Sequence, residues 1–400
     1  MSQSTEFRFE YAPGVIRFGT GCTADLAEEL AQQGFERALV VTGKAIADNP
    51  DVIDSVKSGL GDRLATVFAE TTPRKRLGTA ARAQQVVEEY DVDVIVAVGG
   101  GSSLDVSKVL SILSTRDDSP EDAGEELENT RTIKMGDGTP LPIVAVPTTL
   151  AGADLSIVAG VSATPESGLV SSPCGGGVKD RRLMPTAVFH DPALYATTPR
   201  EILAGSAMNG FNKGLETVYT RHRTPITDAT SARGIQLMSR GLRKLGEAEP
   251  TEEILHTVVQ GLILVQFGIA RPGLTTLSLI HAFGHTLRDG FRIQQGLAHA
   301  VITPDALRYI FKNVDGRRDL LADALDVGDA DDKPEAIANA VAEVRDALGL
   351  PSRLQDIDGA DRSILRDIAE ATINDVFMPN VPEGLDPTAD EIEELLENAW

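Results

Sequence analysis

The chain has 400 residues, more than one hydrophobic core usually holds, which points to two domains. Hydrophobic residues make up 42%, and no apolar run reaches the roughly 18 residues that a bilayer-crossing helix needs, so no membrane association is expected. Sixty acidic residues against 37 basic ones give a formal net charge of −23, which argues against nucleic acid as a partner, because its phosphates would be repelled.

The acids are spread along the chain, as in "EEYDVDV" and "DALDVGDADDKPE". A dispersed acidic surface keeps a protein soluble in concentrated salt, where self-repulsion is screened. A halophilic cytoplasm is therefore expected, with an acidic mesophilic enzyme as the plainer alternative. The start "MSQSTEFRFEYAPG" lacks a basic region followed by an apolar stretch. Cys22 and Cys174 form no disulfide framework and match no zinc-ligand spacing, which suits a reducing cytoplasm.

In chain order, the first half is dominated by short runs rich in Val, Ile and Ala: "VIRF" (15–18), "ALVVT" (38–42), "LATVFA" (64–69), "DVIVAVGG" (93–100), "LPIVAVP" (141–147) and "TAVFHD" (186–191). They are nearly continuous rather than alternating, as strands buried on both faces of a parallel sheet are. Helical patterns lie between them, such as "TADLAEELAQQG", "DVIDSVKSGL", "RAQQVVEEYD" and "SSLDVSKVLSIL". This alternation predicts a doubly wound, mostly parallel α/β domain over residues 1–191. Residues 116–140 are polar and read as a long surface loop; "SSPCGGGVKDRR" (171–182) reads as a glycine-rich, mobile loop. After about residue 192 the strands stop. Amphipathic segments from "PREILAGSAMNGFNKGLETVY" to "ADEIEELLENAW" predict an all-α domain over 192–400.

"VIVAVGGGSSLDVSK" (94–108) is the most informative stretch. A buried strand ends in Gly99, Gly100 and Gly101, and Ser102 and Ser103 open a helix. Glycines allow close backbone approach, and a helix N-terminus offers free N–H groups, which together suit phosphate. Ser102 is also a good N-cap in its own right. Thr148 and Thr149 in "AVPTTLAGAD" stand at the mouth of the next strand, where ligands of open α/β sheets bind. With Asp105, these residues make up the expected cofactor-binding set. "GTGCTA" (19–24) satisfies GxGxxA but has no acidic residue about 20 positions later, so it reads as a turn and helix start. At the end of "ALVVTGKA" (38–45), NAD-specific sites place a carboxylate against the adenosine ribose. Here Gly43 and Lys44 stand in that place, so nothing repels a 2′-phosphate. NADP is favoured, with NAD as the other possibility and a simple tight turn as the plain reading of Gly43.

Taken together, "GGGSSLDVSK", "PTTLAG", "HDPALYATTP" and "HAFGH" resemble the iron-containing (group III) alcohol dehydrogenase family, in order and over nearly the whole chain. The resemblance implies a dinucleotide-binding α/β domain, a helical domain, an active site in the cleft between them, and hydride transfer between a nicotinamide and a carbonyl or alcohol. It also implies a divalent metal that polarises the substrate oxygen, held by an Asp and three His. Carried onto this chain, the Asp falls on Asn209, its paired His on Lys213, the next His on His281 and the last on Gln295. Asn and Gln are neutral donors, and an ammonium cannot bind a cation. No tightly bound metal is therefore expected, and no metal ligand is assigned. Lys213 stands where the ion would, able to hydrogen-bond a developing alkoxide and to protonate it. "MNG" at 208–210 is similar to the "MNA" of metal-independent maleylacetate reductases, which keep the His this chain has lost.

Lys213, His281, His285 and Asn209 are the expected catalytic residues; by resemblance His285 is a proton relay near the nicotinamide. The plain alternatives are an ordinary i, i+3 ion pair of Lys213 with Glu216 on a solvated or interdomain face, and two core histidines. His299, His190, His222 and His256 carry no recognisable spacing; recruitment of a metal by His281 and His299 in another geometry is a minor possibility. The expected function is reduction of a small aldehyde or keto acid by a homo-oligomer, dimer or larger. The alternative is a catalytically inactive nucleotide-binding or regulatory homologue.

Overall fold

The structure, a computed structural model, describes residues 7–400 and divides into two compact units, one of Tyr11–Thr198, the other of Pro199–Trp400 with residues 7–10.

The first unit runs β1 (Val15–Phe18), α1 (Leu26–Gln33), β2 (Ala38–Gly43), α2 (Lys44–Ala47), α3 (Pro50–Leu60), β3 (Leu64–Thr71), α4 (Leu77–Tyr90), β4 (Val94–Gly99), α5 (Gly101–Leu113), α6 (Pro120–Thr130), β5 (Ile143–Pro147), β6 (Val158–Ala163), β7 (Cys174–Lys179), β8 (Ala187–His190) and α7 (Pro192–Ala196). Six strands form one sheet in the order β1-β8-β5-β4-β2-β3, every neighbouring pair parallel. The central strands β2, β4 and β5 alternate their buried side chains between two cores. Leu39, Val41, Ile95, Ala97 and Ala145 pack against α4 and α5 on one face. Val40, Val94, Val96, Val98, Val144 and Val146 pack against α1 and α3 on the other. Two covered faces explain why these segments read as unbroken apolar runs.

Three expectations are corrected. Residues 116–140 are not a plain loop: α6 lies within them, fixed by a Ser119/Asp122 capping box and Pro120 in its first turn. "SSPCGGGVKDRR" is largely not loop either. It supplies β7, which pairs antiparallel with β6 from Val158↔Lys179 to Ala163↔Cys174. Gly176 sits where a Cβ would lie 1.9 Å from Arg131 O, so this glycine permits close packing rather than mobility. Ser102 is not the N-cap of α5: Gly100 is, with no side-chain cap, and the helix begins at Gly101.

The second unit contains α8 (Arg200–Tyr219), α9 (Pro225–Glu247), α10 (Glu252–Gln266), β9 (Ala270–Arg271), β10 (Leu274–Thr275), α11 (Leu279–Phe291), α12 (Gln295–Asn313), α13 (Arg318–Ala324), α14 (Lys333–Ala347), α15 (Leu365–Ile373) and α16 (Ala389–Asn398). It is helical apart from β9 and β10, a two-residue ribbon absent from the sequence expectation. Glycines set its tightest crossings: a Cβ on Gly234 would meet Gly261 O at 2.7 Å, and one on Gly296 would meet Gly205 O at 1.9 Å. Among the described residues no helix is long and apolar enough to cross a membrane.

Candidate functional site

In the α/β unit the candidate cofactor residues gather at the carboxyl ends of the strands. Gly99 turns the chain at φ +127°, a conformation that side chains other than glycine's rarely adopt. A Cβ on Gly100 would lie 2.9 Å from Thr149 Cγ2, and one on Gly43 would lie 3.1 Å from Thr71 O. Thr148 is buried and donates its N–H to Gly99 O (3.0 Å), which locks β5 to the glycine turn. Ser103 joins its hydroxyl to Thr71 Oγ1 at 2.9 Å, tying the turn to the end of β3. The first N–H groups of the 13-residue α5, those of Gly101 and Ser102, have no protein partner among the described residues. A glycine cradle in front of an uncapped helix start fits a pyrophosphate. Asp105 lies one turn further in. Its carboxylate pairs with Lys75 Nζ and accepts the N–H of Gly160 (3.1 Å), so it holds the surroundings of the cradle. Lys44 begins α2 with its side chain exposed.

In the helical unit, α8 presents Asn209 and Lys213 one turn apart, both half-buried. Lys213 Nζ reaches Gln266 Oε1 at 3.5 Å. His281, on α11, is buried and held at both ends. Its Nδ1 hydrogen-bonds Glu216 Oε2, and its Nε2 lies 3.1 Å from Asn209 Oδ1. Glu216 is fully buried and also accepts N–H groups from His281 (2.9 Å) and Ser278 (3.1 Å). This corrects one sequence alternative: Glu216 does not lie on a solvated face, and its carboxyl group holds His281 and the start of α11. Burial pushes the Glu216 carboxyl up to about 8, against the lowering effect of those N–H groups. Burial, reinforced by the Lys213 charge, pushes His281 well below the ordinary imidazole range.

With both groups neutral, as these directions favour, a protonated Glu216 would donate to Nδ1 and Nε2–H would donate to Asn209 Oδ1. His285 is partly exposed, with Nδ1 3.0 Å from Asp375 Oδ2. Phe377 packs against both imidazoles, its ring centre 4.9 Å from that of His285 and 6.2 Å from that of His281. The structure also brings in His299, whose ring centre lies 4.5 Å from that of His281. His299 is fully buried, and neither ring nitrogen has a hydrogen-bond partner among the described residues. It fits because Gly284 has no side chain: a Cβ there would stand 2.1 Å from His299 Nε2 and 3.1 Å from Gln295 Cγ.

Sequence reasoning missed Glu216 as the holder of His281, along with Gln266, Asp375 and Phe377; it paired His299 with His281 only as a minor possibility for a metal. Only the glycine between His281 and His285 hinted that something packs there. Asp375 and Phe377 lie about 90 residues from His285, and no spacing rule connects them.

The donor set does not fit a divalent cation. Among the described residues no group of three or more His, Cys, Asp or Glu side chains is placed to hold a metal ion. The positions around His281 offer two amides and an ammonium. They supply no negative charge, and a cation there would face the Lys213 charge.

A glycine turn at the carboxyl ends of a parallel sheet, together with a helical unit, defines a two-unit architecture of α/β and helical parts. Residues 13–192 match the iron-containing alcohol dehydrogenase family model, and 203–400 match the C-terminal model of the Fe-containing alcohol dehydrogenase family. The chain belongs to the iron-containing alcohol dehydrogenase family, an oxidoreductase family. It is 25% identical over 396 residues to maleylacetate reductase 1 of Cupriavidus pinatubonensis, covering 99% of this chain and 97% of that protein. It is 24% identical over 388 residues to lactaldehyde reductase of Escherichia coli K12, covering 96% of this chain and 97% of that protein. The fold matches sulfoacetaldehyde reductase from Bifidobacterium kashiwanohense, solved in complex with NAD+, at a TM-score of 0.84 and 21% identity, over 98% of this chain and 99% of that one.

Proposed function

We propose that the chain is an NADP-preferring, metal-independent reductase of a small aldehyde or keto acid, with Lys213 as the electrophilic and acidic group. The supporting observation is the placement of Lys213: one turn from Asn209, against Gln266, and close enough to His281 and His299 for its charge to add to the burial that lowers both imidazoles. The chemistry a nicotinamide would supply when bound at the glycine cradle is a hydride for the carbonyl carbon. Lys213 Nζ–H hydrogen-bonds the carbonyl oxygen as negative charge develops there and passes it a proton. Asn209 is kept in register by His281, whose Nε2–H occupies its oxygen and leaves its amide N–H groups for substrate. His285, turned by Asp375, is the candidate that returns a proton to the amine. NADP preference rests on the carboxylate-free Gly43 and the adjacent Lys44.

The test is NADPH oxidation over a panel of aldehydes and keto acids in high KCl, with and without chelator, for the wild type and Lys213→Met. Activity that survives chelation, and a loss of at least about 100-fold in kcat/KM in the variant with NADPH affinity kept, is expected. Chelator-sensitive activity, or turnover retained by the variant, overturns the reading.

A further inference from the structure

We infer that Arg74 and Arg76, on the loop between β3 and α4, form the binding site for the 2′-phosphate of the adenosine ribose. The inference rests on the reading that the chain prefers NADP, and it names the residues that set that preference.

The argument begins with strand order. The phosphate-accepting turn at Gly99 ends β4; β2 lies beside it, and β3 beside β2 at the edge of the sheet. Gly43, the last residue of β2, pairs with Thr71, the last of β3. Two inter-strand steps, about 10 Å, separate the pyrophosphate end from this edge. That is the reach of the ribose next to the pyrophosphate. The chain leaving Thr71 is Thr72-Pro73-Arg74-Lys75-Arg76, so two guanidinium groups follow within five residues of the strand end.

The loop is built rather than loose. Lys75 takes a left-handed conformation at φ +51° and donates its N–H to Thr72 O (3.0 Å), closing a turn. Its carbonyl accepts Ser162 N–H (3.0 Å), and Ser162 Oγ donates to Arg74 O. Its ammonium is anchored on Asp105 of α5. Lys75 thus serves as the internal fastener, and the arginines on either side of it are held by a pinned backbone.

Arg74 and Arg76 are among the arginines that pair with no carboxylate among the described residues. Carboxylates far outnumber cations, and many arginines pair with one, among them Arg17 with Glu29, Arg82 with Glu70, Arg116 with Asp118, Arg240 with Asp326 and Arg366 with Asp390. The side chains of Arg74 and Arg76 make no hydrogen bond or ion pair among the described residues. The carboxylate that feels them is Glu166, held low first by Thr164 and its own backbone and then by the two arginines. A phosphate dianion outcompetes a single, more distant carboxylate for two guanidinium groups, because planar N–H pairs match its oxygens. Arginines near the ribose are the usual means by which dinucleotide folds accept the extra phosphate.

The test uses the full-length protein at fixed ionic strength and measures Kd by calorimetry for NADPH, NADH, adenosine 2′,5′-bisphosphate and adenosine 5′-monophosphate. The proteins are the wild type and Arg74→Gln/Arg76→Gln. The expected result is at least tenfold weaker binding of NADPH and of the bisphosphate in the variant, with NADH and the monophosphate as unchanged references. A wild type that prefers NADPH and a variant that binds it equally well would overturn the assignment while leaving the Gly43-based preference standing. A wild type that binds NADH as tightly as NADPH overturns that preference and this inference together. Equal loss of all four ligands also overturns it, since it shows that the arginines only support the loop.

Discussion

Glu216→Gln tests the buried centre of the helical unit most directly. Glu216 is fully buried, and its carboxyl titrates near 8 rather than at an ordinary 4.5, because burial disfavours the charge. Between those two values the folded chain retains a proton that the unfolded chain has lost. Stability from this group is therefore complete below pH 4.5 and falls as pH rises toward 8, at about 1.4 kcal/mol per pH unit. Over the window this amounts to something on the order of 4–5 kcal/mol. Glutamine is the neutral isostere of the protonated acid. Its oxygen can accept the N–H groups of Ser278 and His281, and its amide can donate to His281 Nδ1 as the protonated carboxyl does. Below pH 5 the variant should match the wild type within about 1 kcal/mol, the value of one hydrogen bond. By pH 9 it should be the more stable protein by several kcal/mol. His281, kept neutral by burial, loses stability on the acid side in both proteins, so its contribution cancels in the difference. The assay is urea denaturation in high KCl from pH 5 to 9, followed by circular dichroism and plotted as the difference between the two proteins. Parallel curves would refute the argument, because they would mean that Glu216 is ionised in the folded state throughout. Glu216→Ala is the control: it leaves the two N–H groups unpaired and should cost about 1–3 kcal/mol for each, with the larger deficit at low pH.

Two further outcomes follow from glycines. Gly284→Ala places a Cβ 2.1 Å from His299 Nε2 and should destabilise the helical unit by about 1–3 kcal/mol. The double variant with His299→Ala should be more stable than Gly284→Ala alone in the same denaturation assay, and an additive loss would show that His299 is not the clashing group. Gly99→Ala forces a side chain into φ +127°, a strain of about 1–3 kcal/mol. It should weaken NADPH and NADH by similar factors in a fluorescence titration, since both carry the same pyrophosphate. Cofactor affinity that does not change would place the phosphate cradle elsewhere.

Much of the fold was legible because burial on both faces of a parallel sheet leaves a local mark. The runs at 38–42, 93–100 and 141–147 are almost entirely apolar, and they became β2, β4 and β5. The glycine turn was legible for the same kind of reason: Gly99 needs its backbone freedom wherever the rest of the chain goes. The strand β7 was not legible, because a glycine run carries no side-chain pattern; it is a strand only because β6 is there to pair with it. The wall around His281 was equally hidden. Glu216 follows Lys213 by three residues, which suggests a local ion pair, yet burial and the N–H groups at the start of α11 claim its carboxyl instead. Sequence by itself determined which residue types stand on α8 and α11, with an amide at Asn209 and an ammonium at Lys213. Only the tertiary structure decided that Glu216, His299, Asp375 and Phe377 surround the two histidines, because hydrogen bonds and ring contacts between residues up to 96 positions apart depend on how helices pack and leave no period in the chain.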